Sequence, residues 1–182
     1  MKLVIELVII LIVLIMLIIF FGYKFFNNKL NIYIIKIDKS KTKLKKNLNQ
    51  KYEHSLKIID FFIKKTNINE DQLYDFLNVN LKKIELDQLN NILVEVDIII
   101  QKQLDQNEQL INDKVFSELK KNTDELDVII NSTKKYYNKI VKDYNLSLKK
   151  FPTNIIGKIK KYEPNKKLKE LEKEELKILK NY

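Results

Sequence analysis

From Leu7 to Phe21 every side chain is apolar, and back to Leu3 the only interruption is Glu6. Nineteen residues of helix at 1.5 Å per residue span about 28 Å, close to the hydrocarbon thickness of a bilayer. After Lys24 the pattern changes to apolar positions at steps of three and four. The first stretch carries Leu30, Ile34, Ile37, Leu44, Leu48, Tyr52, Ile59 and Phe62, with Lys41 and Ser55 as polar gaps. No proline breaks it, so the spacing predicts a first helix continuous with the apolar run and ending near Lys65.

Thr66-Asn67-Ile68-Asn69 interrupts the periodicity, with Asn69 placed to cap a following helix and Gln72 as its capping-box partner. Apolar positions resume at Leu73, Leu77, Leu81 and Ile84, then run from Leu89 through Ile92, Leu93, Val96, Ile99 and Ile100 to Leu104. The phase wavers between Asn78 and Leu86, which fits one bent helix or two shorter ones. A turn is expected at Asp105-Gln106-Asn107-Glu108. The last helix has the most regular stripe, from Phe116 through Leu119, Thr123, Leu126, Ile130, Thr133, Tyr137, Ile140, Tyr144 and Leu148 to Phe151, and Pro152 ends it. The charged tail from Pro164 has few apolar residues and reads as a frayed helix or an unstructured run that does not dock tightly. The fold class expected is all-α: a single N-terminal transmembrane helix followed by an antiparallel bundle of three or four long helices. The divisions are an anchor over residues 1–23, a bundle over 24–152 and a tail over 153–182.

A cleaved signal peptide needs small residues before its cleavage site, whereas this run leaves through Phe20, Phe21, Gly22, Tyr23, Lys24, Phe25 and Phe26. The aromatics fit an interfacial belt and an uncleaved anchor. Glu6 fits either an interfacial carboxylate or a polar contact with another membrane helix. Eight lysines between Lys24 and Lys46 follow the span and only Lys2 precedes it, so the positive-inside rule puts the C-terminal domain in the cytoplasm of a single-pass membrane protein.

Net charge is +10 and comes in blocks: +9 over residues 24–65, −8 over 66–131 and +9 over 132–182. An acidic helix packed between basic ones accounts for this pattern. The basic stretch beside the span would also attract anionic headgroups. The chain has no Cys, which removes disulfides, thiolate metal sites and thiol nucleophiles. His54 is the only histidine, and Gly22 and Gly157 are too few to form a phosphate loop. Lys51, Tyr52 and Glu53 around His54 form no triad, and the cluster Asp124, Glu125 and Asp127 reads as a charged helix face. Asn131-Ser132-Thr133 and Asn145-Leu146-Ser147 match the glycosylation pattern by chance in an Asn-rich chain. No catalytic residue, metal site or cofactor is expected.

One pattern is more specific. Tyr137-Asn138, Val141, Tyr144-Asn145, Leu148 and Phe151-Pro152 follow one another at fixed spacing, with Asn154 and Ile156 beyond. The run resembles the last helix of the LemA family of bacterial membrane-anchored proteins. Phe116, Leu119, Ile130 and Lys134 are similar to its upstream positions. Ile37-Asp38-Lys39-Ser40-Lys41 and Lys51-Tyr52-Glu53 are similar to motifs of its low-GC branch. The likeness spans about residues 1–157 and is thinnest in the middle, which lacks the family's usual Tyr-Pro dipeptide near Gln101 to Leu110; Lys45 and Leu56 also depart from the pattern. It implies a membrane helix followed by a helical bundle, and no catalytic residues.

Tyr137 and Tyr144 are seven residues apart and share a helix face, with Asn138 and Asn145 about 100° further round. Two readings follow for this motif (Tyr137, Asn138, Val141, Tyr144, Asn145, Phe151 and Pro152). The favoured one is structural: buried rings, and asparagines bonded to a neighbouring helix as a clamp on register. The other is a ligand stripe. For the whole chain, the leading function is a scaffold or adaptor for a protein partner, with a membrane protease one form that the family association implies. Electrostatic binding of anionic lipid or nucleic acid is the alternative, nucleic acid being disfavoured by the acidic middle segment.

Overall fold

The computed structural model describes residues 1–66, 74–77 and 79–168. Among the described residues there are five α-helices: α1 (Lys2–Lys65), α2 (Tyr74–Leu77), α3 (Leu86–Gln106), α4 (Lys114–Ser147) and α5 (Thr153–Lys160). A 3₁₀ turn, Glu108–Asn112, joins α3 to α4, and among the described residues there is no strand. The all-α architecture with a long apolar N-terminal helix is as the periodicity predicts. The Asn69 cap, its partner Gln72 and tail residues 169–182 lie outside the described residues.

The absence of proline and of clustered glycine lets α1 run unbroken for 64 residues. Its apolar window has a mean hydropathy of 3.6 and is 0 % buried within the protein, so its length and composition suit a membrane crossing. Lys24 Nζ lies 4.8 Å from the centre of the Phe20 ring at the end of the apolar run.

The chain forms two compact units, and α1 and α4 contribute to both. One comprises residues 40–136 with Leu168, and its interior has two apolar clusters. In the first, Ile58, Ile59, Phe61 and Phe62 of α1 meet Val96, Ile100 and Leu104 of α3, together with Leu110 and Phe116. The Phe116 ring lies 5.9 Å from that of Phe61 and 5.7 Å from that of Phe62. In the second, Leu44, Leu48 and Tyr52 meet Leu86, Leu89, Leu93 and Ile130. Early residues of α1 therefore face early residues of α3 and late ones face late ones, whereas α4 runs antiparallel to both. The phase change between Asn78 and Leu86 marks the end of a returning connection rather than a bend: Tyr52 Oη donates to the Phe76 carbonyl, and Lys45 Nζ donates to the Ile84 carbonyl at 3.4 Å. Gln88 Oε1 accepts the Glu85 backbone N–H at 3.3 Å where α3 begins.

The other unit comprises residues 1–39 and 137–167. Its buried residues include Leu30 and Ile37 of α1, Tyr137, Ile140, Val141 and Tyr144 of α4, and Thr153 and Ile156 of α5. α4 stops at Ser147, five residues before Pro152. Leaving the helix takes Phe151 off the apolar stripe, and it is 80 % exposed. The Phe151–Pro152 peptide is cis. Thr153 Oγ1 donates to the Lys150 carbonyl at 2.8 Å and to the Ser147 carbonyl, which fastens the turn that starts α5. A Cβ on Gly157 would come within 2.8 Å of Leu148 Cδ2, so this glycine permits the close approach of α5 to the end of α4.

Candidate functional site

Two polar constellations lie inside the units. In residues 40–136, Asn47, Lys51 and Ser55 recur at steps of four on α1 and all three are buried. Four residues per step keeps them on one inward face beside Leu48 and Tyr52. Lys51 reaches both other helices: its Nζ donates to Asp97 Oδ2 at 2.6 Å and to Asp127 Oδ1 at 2.7 Å. The lysine side chain is 7 % exposed, the carboxylates 45 % and 36 %. Seven residues back along α3 and seven forward along α4, Lys134 Nζ donates to Asn90 Oδ1 at 3.1 Å. The matched steps fit the antiparallel register of those two helices.

Burial works to lower the Lys51 pKa, but the attractions of Asp97 and Asp127 and their hydrogen bonds outweigh it and hold the ammonium above its ordinary value. Burial pushes the Asp97 carboxyl up, and the pull of Lys51 only partly offsets it. A lysine acting as nucleophile or general base needs its pKa lowered. This one keeps its proton, so the arrangement serves as an ionic tie among three helices. Lys65 also pairs with Asp113 at 3.6 Å. Hydrogen bonds from the backbone N–H groups of Val115 and Phe116 hold the Asp113 carboxyl below its usual range. The pairs Lys51–Asp97, Lys51–Asp127 and Lys65–Asp113 each join the first basic block to the acidic block, as the charge pattern anticipates.

His54 is half-buried, and its Nδ1 is enclosed with no hydrogen-bond partner from the protein. Among the described residues no group of three His, Cys, Asp or Glu side chains is placed to hold a metal ion.

The second constellation contains the Tyr-Asn motif. Tyr137, Asn138, Val141 and Tyr144 are buried. Burial, reinforced by Tyr162, raises the Tyr144 phenol above its ordinary pKa. Tyr137 Oη donates to the Lys166 carbonyl at 3.1 Å. Asn145 Nδ2 donates to the Asn165 carbonyl at 2.8 Å, and Asn145 Oδ1 accepts the Asn165 N–H at 2.9 Å. Tyr162 Oη donates to Asn31 Oδ1 at 2.7 Å. The partner of Asn145 is thus not a neighbouring helix but the non-helical segment after α5, where a side-chain amide satisfies both backbone groups of one residue. The segment around Asn165 and Lys166 is held, contrary to the loose tail that its charge suggested. The motif does not close as a single stripe, because Phe151 lies beyond the end of α4 and is exposed, and Pro152 forms the N-cap of α5.

The periodicity gave little notice of Asp97. Its signal was an acid inside the densest apolar stretch after the span, Val96 on one side and Ile98 to Ile100 on the other. Lys51 was visible only as the basic residue of Lys51-Tyr52-Glu53, and Asp127 read as part of a solvated cluster.

The LemA family model matches residues 80–179. The matched region contains α3, α4, α5, the Asn165 segment, both aspartates of the ionic tie and the whole Tyr-Asn motif. It includes the middle of the chain, where the motifs were thinnest, while Lys51 and the Ile37–Lys41 motif fall before it. No curated protein and no solved structure shows a significant match. With more than half its length matched, a helix suited to membrane anchoring at its N-terminus and a helical bundle behind it, the chain belongs to the LemA family of membrane-associated helical proteins.

Proposed function

We propose that the protein is a single-pass membrane anchor for a cytoplasmic helical bundle that acts as a scaffold or adaptor for a protein partner. One observation carries this reading. In the unit of residues 40–136, an open depression of ≈ 520 Å³ runs along α4, with apolar contacts from Ile111, Phe116 and Val128 and a rim that includes Lys120, Lys121 and Asp124. An apolar floor with charges of both signs at its edge suits a protein surface. A nucleic-acid or phosphate site would carry one sign. The proposed role is binding rather than catalysis, since the buried lysine is held protonated by two carboxylates. The lysine excess after the span supports the cytoplasmic orientation.

A photo-crosslinking amino acid at Val128 tests the partner. In native membranes it should give a discrete protein adduct, while the same group at exposed Glu53 should not. Equal labelling from both positions, or none from Val128, would remove the support for this surface. A reporter active only outside the membrane, fused after Tyr182, should stay silent; strong activity would reverse the orientation.

A further inference from the structure

α5 presents two faces. Thr153, Ile156 and Gly157 are buried within the unit of residues 1–39 and 137–167. Away from them, Ile155 and Ile159 are four residues apart on α5 and are 49 % and 64 % exposed, and Phe151, just before the helix, is 80 % exposed. Three large exposed apolar side chains on and beside one short helix are costly in water and mark a contact surface. Lysines surround them: Lys149, Lys150, Lys158, Lys160 and Lys161 are exposed, and no acidic residue occurs between Leu148 and Tyr162. An apolar surface bordered by lysines is the composition of an interfacial membrane helix.

The same unit fixes where this surface lies. Tyr162, just past the end of α5, donates to Asn31 of α1 at 2.7 Å. Asn31 is eight residues beyond Tyr23, about 12 Å along the helix. Headgroup regions add roughly 5 to 8 Å on each side of the hydrocarbon. Once the span crosses a bilayer, the Tyr162 contact holds the C-terminal end of α5 at a level about 12 Å beyond Tyr23 along α1.

We propose that α5 and the preceding Phe151 form a second membrane contact, in which Phe151, Ile155 and Ile159 enter the headgroup–acyl boundary of an anionic bilayer and the flanking lysines pair with lipid phosphates. The proposal rests on the span being inserted but not on the scaffold role. Its consequence is mechanical: a single helix leaves the domain free to tilt and rotate, whereas a second contact beside it sets one orientation against the membrane. Each lysine near an anionic surface adds attraction, so the contact depends on lipid charge.

The chain contains no cysteine, so single cysteines report position without background. The full-length protein is reconstituted in vesicles of phosphatidylcholine with phosphatidylglycerol and labelled with an environment-sensitive fluorophore at Ile155→Cys, at Leu14→Cys in the span, or at Glu118→Cys on exposed α4. The Ile155 label should be quenched by nitroxides placed shallow in the acyl chains, at about 5 to 10 Å depth. It should also be severalfold less accessible to aqueous iodide than the Glu118 label, and the protection should weaken in pure phosphatidylcholine. Leu14 should respond to deep nitroxides. If Leu14 responds and Ile155 remains as open to iodide as Glu118, the proposal is wrong while the anchor stands. An Ile155 label shielded from both quenchers would mean that protein covers the face, which also overturns it. A Leu14 label that misses the lipid quenchers would instead overturn the anchor, and this proposal with it. Because Phe151 and Ile159 are exposed, the variant Phe151→Ser/Ile159→Ser keeps the buried face of α5 intact. In that background the Ile155 label should lose its lipid quenching; unchanged quenching would deny these side chains their role.

Discussion

In residues 40–136 three helices are tied through one charge, Lys51 set between Asp97 and Asp127. In residues 1–39 and 137–167 three ties are made by neutral groups: Tyr137 to the Lys166 carbonyl, Asn145 to both backbone groups of Asn165, and Tyr162 to Asn31. An ion taken out of water must be fully matched, and what it gives in return is register more than net stability. A neutral amide or phenol costs less to bury and can use any backbone carbonyl within reach. These three ties, in the unit that includes the span, need no countercharge.

The largest effect expected is on the neutral side of this comparison. Tyr144 is 2 % exposed and among the largest fully buried side chains. Tyr144→Ala should cost about 3 to 5 kcal/mol, as for other buried aromatics. Denaturant unfolding of the full-length protein in micelles, followed by circular dichroism, measures it. A loss under about 1 kcal/mol would place Tyr144 at a surface effect and revive the ligand-stripe reading.

The ionic tie should rank second. Breaking a buried pair costs about 3 to 5 kcal/mol and an exposed one about 0 to 1. With carboxylates 45 % and 36 % exposed, Lys51→Met falls between, at about 2 kcal/mol. Asp97→Asn should be milder, because burial already disfavours its charge in the fold. The sign with pH follows from the raised Lys51 value: its stabilisation is complete below the unfolded lysine pKa and fades as pH climbs through the higher folded one. Lys51→Met should therefore lose stability less steeply above about pH 10.5 than the native chain. Identical alkaline slopes would show that the tie does not contribute.

The architecture was readable because it rests on repetition. Leu89, Leu93, Val96 and Ile100 announce a buried face whatever they pack against. Helix direction was less readable: steps of three and four are the same whether α3 runs with α1 or against it, and only the connection before Leu86 decides. Single long-range contacts were the least accessible. Nothing local in Lys51 distinguishes it from the exposed Lys57, since both follow an apolar stripe and only the opposing carboxylates make one of them buried. Phe151 was misplaced for a related reason, because the stripe was extended to Pro152 while the helix ends at Ser147. The Asn165 segment was missed because charge was taken to forbid docking, whereas its backbone, not its side chains, makes the contact.

The smallest effect separates the two kinds of tie most directly. Asn145 is half-buried and holds Asn165 through two hydrogen bonds, of 2.8 and 2.9 Å. Asn145→Leu keeps the size of the side chain but offers neither donor nor acceptor. A neutral hydrogen bond contributes about 0.5 to 1.5 kcal/mol, and partial exposure lets water replace some of the loss, so global stability should fall by about 1 kcal/mol. The local effect should be larger. With both bonds gone, the backbone amide of Asn165 should exchange its hydrogen much faster, while the amides of Val96 and Ile100 in the other unit keep their native rates. Lys51→Met should produce the reverse, faster exchange around Asp97 with Asn165 unchanged. If either variant accelerated exchange in both places equally, the charged and neutral ties would belong to one cooperative structure, and the contrast between them would carry no independent energetic meaning.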